Sequence, residues 1–137
     1  MRGLAFTEID KSLGRLDSVV MFGNNFGLFG NYKRARWPLR SLKGITSPDC
    51  LMIANATDPY HTENSDRLEY HQRNRDRGRM GGQLRIRLRH RRCIGPWFDY
   101  LFVSKEELEE IVDRTGWRCA EILQSEDAGY IVILEKG

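Results

Sequence analysis

Residues 50–54, Cys-Leu-Met-Ile-Ala, form an unbroken apolar run behind the turn signal Ser47-Pro48-Asp49. A strand without polar alternation has both faces covered, the situation of a strand inside a parallel sheet. A second run, Asp17 to Phe22, is too short for a helix and rich in valine, and it stops abruptly at Gly23. It reads as another buried strand. Between the two, Asn31 to Leu42 is expected to be helical, with Pro38 in its first turn. Strand, crossover and strand together predict an α/β unit.

The chain has 137 residues, 40% of them apolar, which suffices for one domain with a core; we read 1–137 as a single domain. No apolar run approaches the ~20 residues of a membrane span. Residues 1–8 lack the long apolar stretch and small-residue cleavage site of a signal peptide, so a cytoplasmic location is expected. Cys50, Cys93 and Cys119 are odd in number and far apart, giving neither a disulfide framework nor a Cys-x-x-Cys motif. They are expected to be reduced, with Cys50 in the core.

The polar segment 58–82 leaves the core, with a short helix expected around Ser65 to Asn74. Leu84, Ile86 and Leu88 then alternate with Arg85, Arg87 and Arg89, a period of two that predicts a strand with one apolar and one basic face. Trp97 to Val103 follows the Gly95-Pro96 break and is expected to pair with it as an antiparallel hairpin. Residues 58–103 are thus an excursion and hairpin. Ser104 with Glu107 makes a capping box, and Leu108, Ile111, Val112 and Thr115 share one face of the helix that follows, up to Gly116. Trp117 to Leu123 and Tyr130 to Leu134 read as a final antiparallel pair. A mostly parallel sheet of about four strands, with the added hairpin, is the expected architecture.

Charge is segregated along the chain. Ten arginines between Arg67 and Arg92 face only Glu69 and Asp76, whereas ten acids from Asp99 onward face Lys105, Arg114, Arg118 and Lys136. Two readings follow: the regions pair within a molecule or across a homodimer, or the basic one binds anions. The second makes the chain a basic nucleic-acid-binding module, with Tyr70 and His71 stacking among the arginines.

The order of elements carries a resemblance. Thr115-Gly116-Trp117 after the closing helix, the final Tyr130-Ile131-Val132-Ile133-Leu134-Glu135-Lys136, "LDSVVMFGNNFGLFG" and "CLMIANATDPY" stand in the order seen in the C-terminal half of a class I S-adenosylmethionine-dependent methyltransferase. The chain resembles that half of a Rossmann-like methyltransferase sheet, with an inserted antiparallel hairpin. The resemblance implies S-adenosylmethionine as cofactor and a small-molecule methyl acceptor. It also implies a glycine-rich turn and a ribose-binding acid earlier in the fold, and no such run precedes residue 22. The expectation is therefore a truncated enzyme, or an inactive fragment that dimerises through its open sheet edge.

On this reading the loop after the first strand faces the cofactor, with Gly23, Asn24, Asn25 and Phe26 as its contacts. Glycine lets the backbone approach, the amides donate and accept without charge, and Phe26 and Phe29 offer aromatic walls to a cationic sulfur. Tyr60 and His61 follow the next strand on the same rim and are the catalytic candidates, His61 as general base or as a plain loop histidine. Tyr70, His71, Asn74 and Arg77 are the substrate-binding candidates, with Tyr70, Asn74 and Arg77 on one helix face as a lid. The spacing of His61 and His71 matches no metal-ligand pattern, and no metal is expected.

Overall fold

A computed structural model describes residues 3–137. Strand β1 (Leu16–Met21) leads through a short 3-10 turn (Asn25–Phe29) into helix α1 (Tyr32–Ile45), which runs directly into β2 (Thr46–Thr57). Asn31 caps α1, its Oδ1 accepting from the Arg34 N–H at 3.0 Å. That cap starts the helix before Pro38, which lies in the second turn and not the first. Its ring is buried in the core, and the Arg34 carbonyl loses its intrahelical donor. β1 and β2 are parallel, pairing Val19 with Met52 and Met21 with Ala54. The Ser47-Pro48-Asp49 segment makes a register jump inside β2 between the Leu16–Thr46 and Ser18–Leu51 pairs.

The excursion holds α2 (Ser65–Asp76), β3 (Gln83–Ile86), two short strands β4 (Arg89–His90) and β5 (Cys93–Ile94), and β6 (Phe98–Leu101). β3 and β6 form the expected antiparallel pair, from Gln83–Leu101 to Ile86–Phe98. β4 and β5 close its tip, where Leu88 is exposed despite its place in the alternation. α3 (Lys105–Val112) opens on the full capping box, with Ser104 N–H donating to Glu107 Oε2 and Glu107 N–H to Ser104 Oγ. It ends before Thr115, and the chain turns through left-handed Arg114 and Gly116 into the hairpin of β7 (Trp117–Gln124) and β8 (Gly129–Lys136).

The main sheet has the order β1-β2-β8-β7. Only β1 and β2 are parallel; β8 runs antiparallel to both β2 and β7, so the sheet is mixed and not mostly parallel. The reason is that β8 returns from a tight turn and inserts between β2 and β7. One face of this sheet is fully covered: Met52, Ala54, Ala56, Tyr130, Val132 and Leu134 pack beneath α1 and α3 through Leu39, Leu42, Leu108 and Ile111. Trp117 locks the layers together, its indole N–H donating to the Leu39 carbonyl at 2.8 Å. The opposite face, with Val20, Leu51, Leu123 and Ile131, remains open to solvent.

Candidate active site

Parallel strands direct their C-terminal ends toward ligands in open α/β sheets, so the rim beyond Met21 and Thr57 is where a site is expected. Gly23 and Asn24 both take left-handed backbone there, at φ 66° and 56°, conformations that glycine and asparagine tolerate best. The Asn24 N–H donates to Asn55 Oδ1 on β2 at 2.9 Å. Its Nδ2 donates to the Tyr100 hydroxyl at 3.0 Å, which in turn donates to the Asn24 carbonyl at 2.9 Å. Asn24 Oδ1 is buried and has no hydrogen-bond partner among the described residues. Gly27 makes this packing possible: a Cβ there would lie 2.7 Å from the Leu101 carbonyl oxygen and 2.9 Å from the Tyr100 ring. Asn25 and Gly23 are exposed on the rim. Phe26 and Phe29 are wholly buried in edge contact with each other at 5.1 Å, so they build the floor under the loop and offer no surface.

Tyr60, just beyond β2, donates its phenolic hydrogen to Glu107 Oε1. The Arg75 guanidinium lies 4.6 Å from the centre of its ring, and His71 meets the ring edge-on. Burial, and after it the hydrogen bond to Glu107, pushes the Tyr60 phenol up to about 12. It therefore keeps its proton at neutral pH and is a donor there, not a base. His61 is exposed beside it.

The four substrate-binding candidates separate into two kinds. His71 and Asn74 are buried and bind backbone: His71 Nδ1 lies 2.8 Å from the Gly81 carbonyl and Nε2 3.0 Å from that of Pro59, while Asn74 Nδ2 donates to Gly81 and Gln83. They fix the loop that connects α2 to β3. Tyr70 and Arg77 are exposed, so Asn74 does not share an outward face with them, and the three-residue lid is not formed. Both nitrogens of His71 are occupied by carbonyls, which leaves none for a metal.

The sequence matches no family model and no curated relative. Solved structures do match. A methyltransferase from Bacteroides fragilis, crystallised with S-adenosyl-L-homocysteine, superposes over 96% of this chain and 52% of its own, with a TM-score of 0.73 and 20% identity. The CcbJ methyltransferase of Streptomyces caelestis matches 96% of this chain and 65% of its own (TM-score 0.68, 10% identity). A methyltransferase from Clostridium acetobutylicum matches 99% and 64% (TM-score 0.63, 5% identity). The fold is that of an S-adenosylmethionine-dependent methyltransferase. The chain spans between 52% and 65% of the length of these three structures.

Within this methyltransferase fold, three residues of the rim were not singled out from sequence. Asn55 interrupts an apolar strand with an amide, a signal that was present. Tyr100 stands in a short β-type run, and Glu107 carries in sequence only the signal of a helix cap. Of the ten arginines between residues 67 and 92, Arg73 pairs with Glu69 and Arg85 with Asp99, the single ion pair joining the basic segment to the acidic one among the described residues.

Proposed function

We propose that this chain is the acceptor-side portion of a class I methyltransferase that uses S-adenosylmethionine and acts on a small molecule. The observation that carries the reading is Asn24: a left-handed asparagine at the rim of the parallel pair, with a buried acceptor oxygen lacking a donor. A ligand N–H, such as an ammonium or an amino group of the cofactor, is the partner its chemistry calls for. The cofactor would supply an electrophilic methyl group on a cationic sulfur.

The chain's own residues would then hold and orient. Gly23 lets a ligand come close to backbone, and Asn24 accepts a hydrogen bond while Tyr100 and Asn55 fix its position. Asn25 offers its amide beside them, and Phe26 supports the loop from below. His61, exposed on the rim, is the candidate to take a proton from an acceptor, and Tyr60 braces the loop that carries it. Tyr70 and Arg77 are left as acceptor contacts, with His71 and Asn74 holding the loop behind them. A cytoplasmic location goes with this reading; no described helix is long and apolar enough to cross a membrane.

A glycine-rich turn and a ribose-binding acid are not among the residues of this chain, so its affinity for the cofactor should be low. The rim supplies neutral hydrogen bonds worth about 0.5–1.5 kcal/mol each. Calorimetry with S-adenosylmethionine should give a millimolar dissociation constant, ~4 kcal/mol of binding. Micromolar binding by the 137-residue chain would overturn the partial-enzyme reading.

A further inference from the structure

The ribbon of β4 and β5 projects from the chain as an arm. Every residue from Arg87 to Ile94 is exposed, and the arm and its base carry Leu88 at 70%, the most exposed large apolar side chain described, with Ile94 at 52% and Trp97 at 54%. A single exposed leucine is ordinary, but three large apolar groups gathered on one narrow projection are not. Arg89 and Ile94 stand opposite each other in the ladder and share a face, so Leu88, one residue earlier, falls on the other. The Gly95 N–H donates to the Leu88 carbonyl at 2.8 Å and carries the pairing down to that point.

The arm is also cationic without compensation. No acidic residue lies between Asp76 and Asp99. Arg85, at the base, pairs with Asp99 at 3.2 Å, whereas Arg87, Arg89, Arg91 and Arg92 have no carboxylate within ion-pair distance among the described residues. Arg91 takes left-handed backbone at φ 54° in the two-residue turn between His90 and Cys93, where glycine or asparagine is the easier choice. The Arg87 guanidinium lies over the Trp97 ring, 4.7 Å from its centre.

We propose that this arm docks the chain on an anionic phospholipid surface, with its arginines on lipid phosphates and Leu88, Ile94 and Trp97 in the boundary between headgroups and acyl chains. That occupant matches both halves of the arm: a negative surface potential attracts a cluster of cations, and the boundary beneath it accepts aliphatic side chains and a tryptophan. Because apolar groups lie on both faces of the ribbon, the receiving medium has to surround its tip, which a fluid bilayer does and one wall of a protein groove does not. A nucleic acid would meet the arginines, yet Leu88 and Ile94 have no ring to stack on bases, and one face of Trp97 is already taken by Arg87. His71, the stacking candidate of the basic segment, is buried with both ring nitrogens on carbonyls. Helix α3 of a second copy offers charge through Glu106, Glu109 and Glu110, but its apolar side chains, Leu108, Ile111 and Val112, are buried and leave nothing to receive Leu88 and Ile94. The contact is attachment to one leaflet and not a span, and it rests on exposure and charge without using the proposed activity.

The test is co-sedimentation of the 137-residue chain with vesicles of phosphatidylcholine alone and of phosphatidylcholine mixed with phosphatidylglycerol. Binding to the mixed vesicles at least tenfold tighter than to the neutral ones is expected, with a blue shift of tryptophan emission that Trp97→Phe removes. Arg89→Glu with Arg92→Glu should weaken binding at least tenfold, whereas Arg15→Glu with Arg114→Glu, an equal change of charge outside the arm, should leave it near the wild-type value. Leu88→Ser with Ile94→Ser, which keeps every charge, should also weaken it at least tenfold. All these side chains are exposed, so melting temperatures should be retained, and a fall in the serine variant would show that Leu88 and Ile94 are covered and overturn the proposal. Equal binding to neutral vesicles overturns it too, as does a serine variant that binds like the wild type, because charge alone would then account for the contact. Two further results would assign the arm elsewhere and sink the lipid reading. One is tighter binding to an oligonucleotide than to mixed vesicles, lost in the arginine variant and kept in the serine variant; the other is a dimer of the chain alone that the arm substitutions dissolve.

Discussion

Tyr60 and Glu107 are joined by a hydrogen bond from the phenol to Oε1, while Oε2 of the same carboxylate accepts from the Ser104 N–H at 3.0 Å. One carboxylate thus ties the segment after β2 to the first turn of α3. Tyr60→Phe should cost about 1 kcal/mol in urea unfolding at neutral pH. The phenol is pushed up to about 12, chiefly by burial, so the folded state holds a proton that the unfolded chain releases near pH 10. Stability contributed by Tyr60 is whole below about pH 10 and is lost as pH rises through about 12. The difference between wild type and Tyr60→Phe should shrink across that window. A difference that grows with pH would show that the phenolate is the favoured partner.

The Asn24–Tyr100 pair predicts a second result. Tyr100→Phe removes a donor to the Asn24 carbonyl and the acceptor for its Nδ2, a loss of about 1–3 kcal/mol in a partly buried setting. Asn24→Gly keeps the left-handed backbone, whereas Asn24→Val should be worse than Asn24→Gly by about 1–2 kcal/mol from backbone strain. Urea midpoints of the three variants give the order.

Asn74 is predicted to act on the loop rather than on a ligand. Asn74→Ala removes two hydrogen bonds, a buried one to the Gly81 carbonyl and a partly buried one to that of Gln83, and should cost about 1–3 kcal/mol. Hydrogen exchange across residues 78–83 should quicken before the main sheet is affected. Unchanged exchange there would show that other contacts fix the loop.

Ile111→Asp should abolish stable folding. The side chain is fully buried between α3 and the sheet, and an unpaired carboxylate there costs several kcal/mol against a total of ~5–15. Circular dichroism on heating should show no cooperative transition.

Much of this architecture could be read from patterns with a local cause. The capping box at Ser104 and Glu107, the valine-rich run of β1 and the alternating Leu84 and Ile86 each act through near neighbours, and each lies where expected. Pro38 was misplaced because Asn31, seven residues upstream, supplies a cap whose effect on the helix start outweighs proline's preference for the first turn. The parallel share of the sheet was overestimated because β8 chooses its neighbours through long-range pairing, which residues 129–136 do not reveal. The rim loop was legible as a loop; its bonds to Asn55 and Tyr100 span 31 and 76 residues and were not. Phe26 and Phe29 looked like ligand walls because aromatics beside glycines suit either role, and burial alone separates the two.

The position of β8 has a consequence for how the chain is made. It is the last strand in sequence yet lies inside the sheet, bonded to β2 on one side and β7 on the other, and Lys136 reaches the carbonyls of Lys43 and Thr46. During synthesis from the N-terminus, β1 and β2 emerge long before the strand that seals them, and β7 has no partner until residues 129–136 leave the ribosome. The nascent chain must carry its apolar strands unsealed until then, so closure of the sheet is a late event in the life of each molecule.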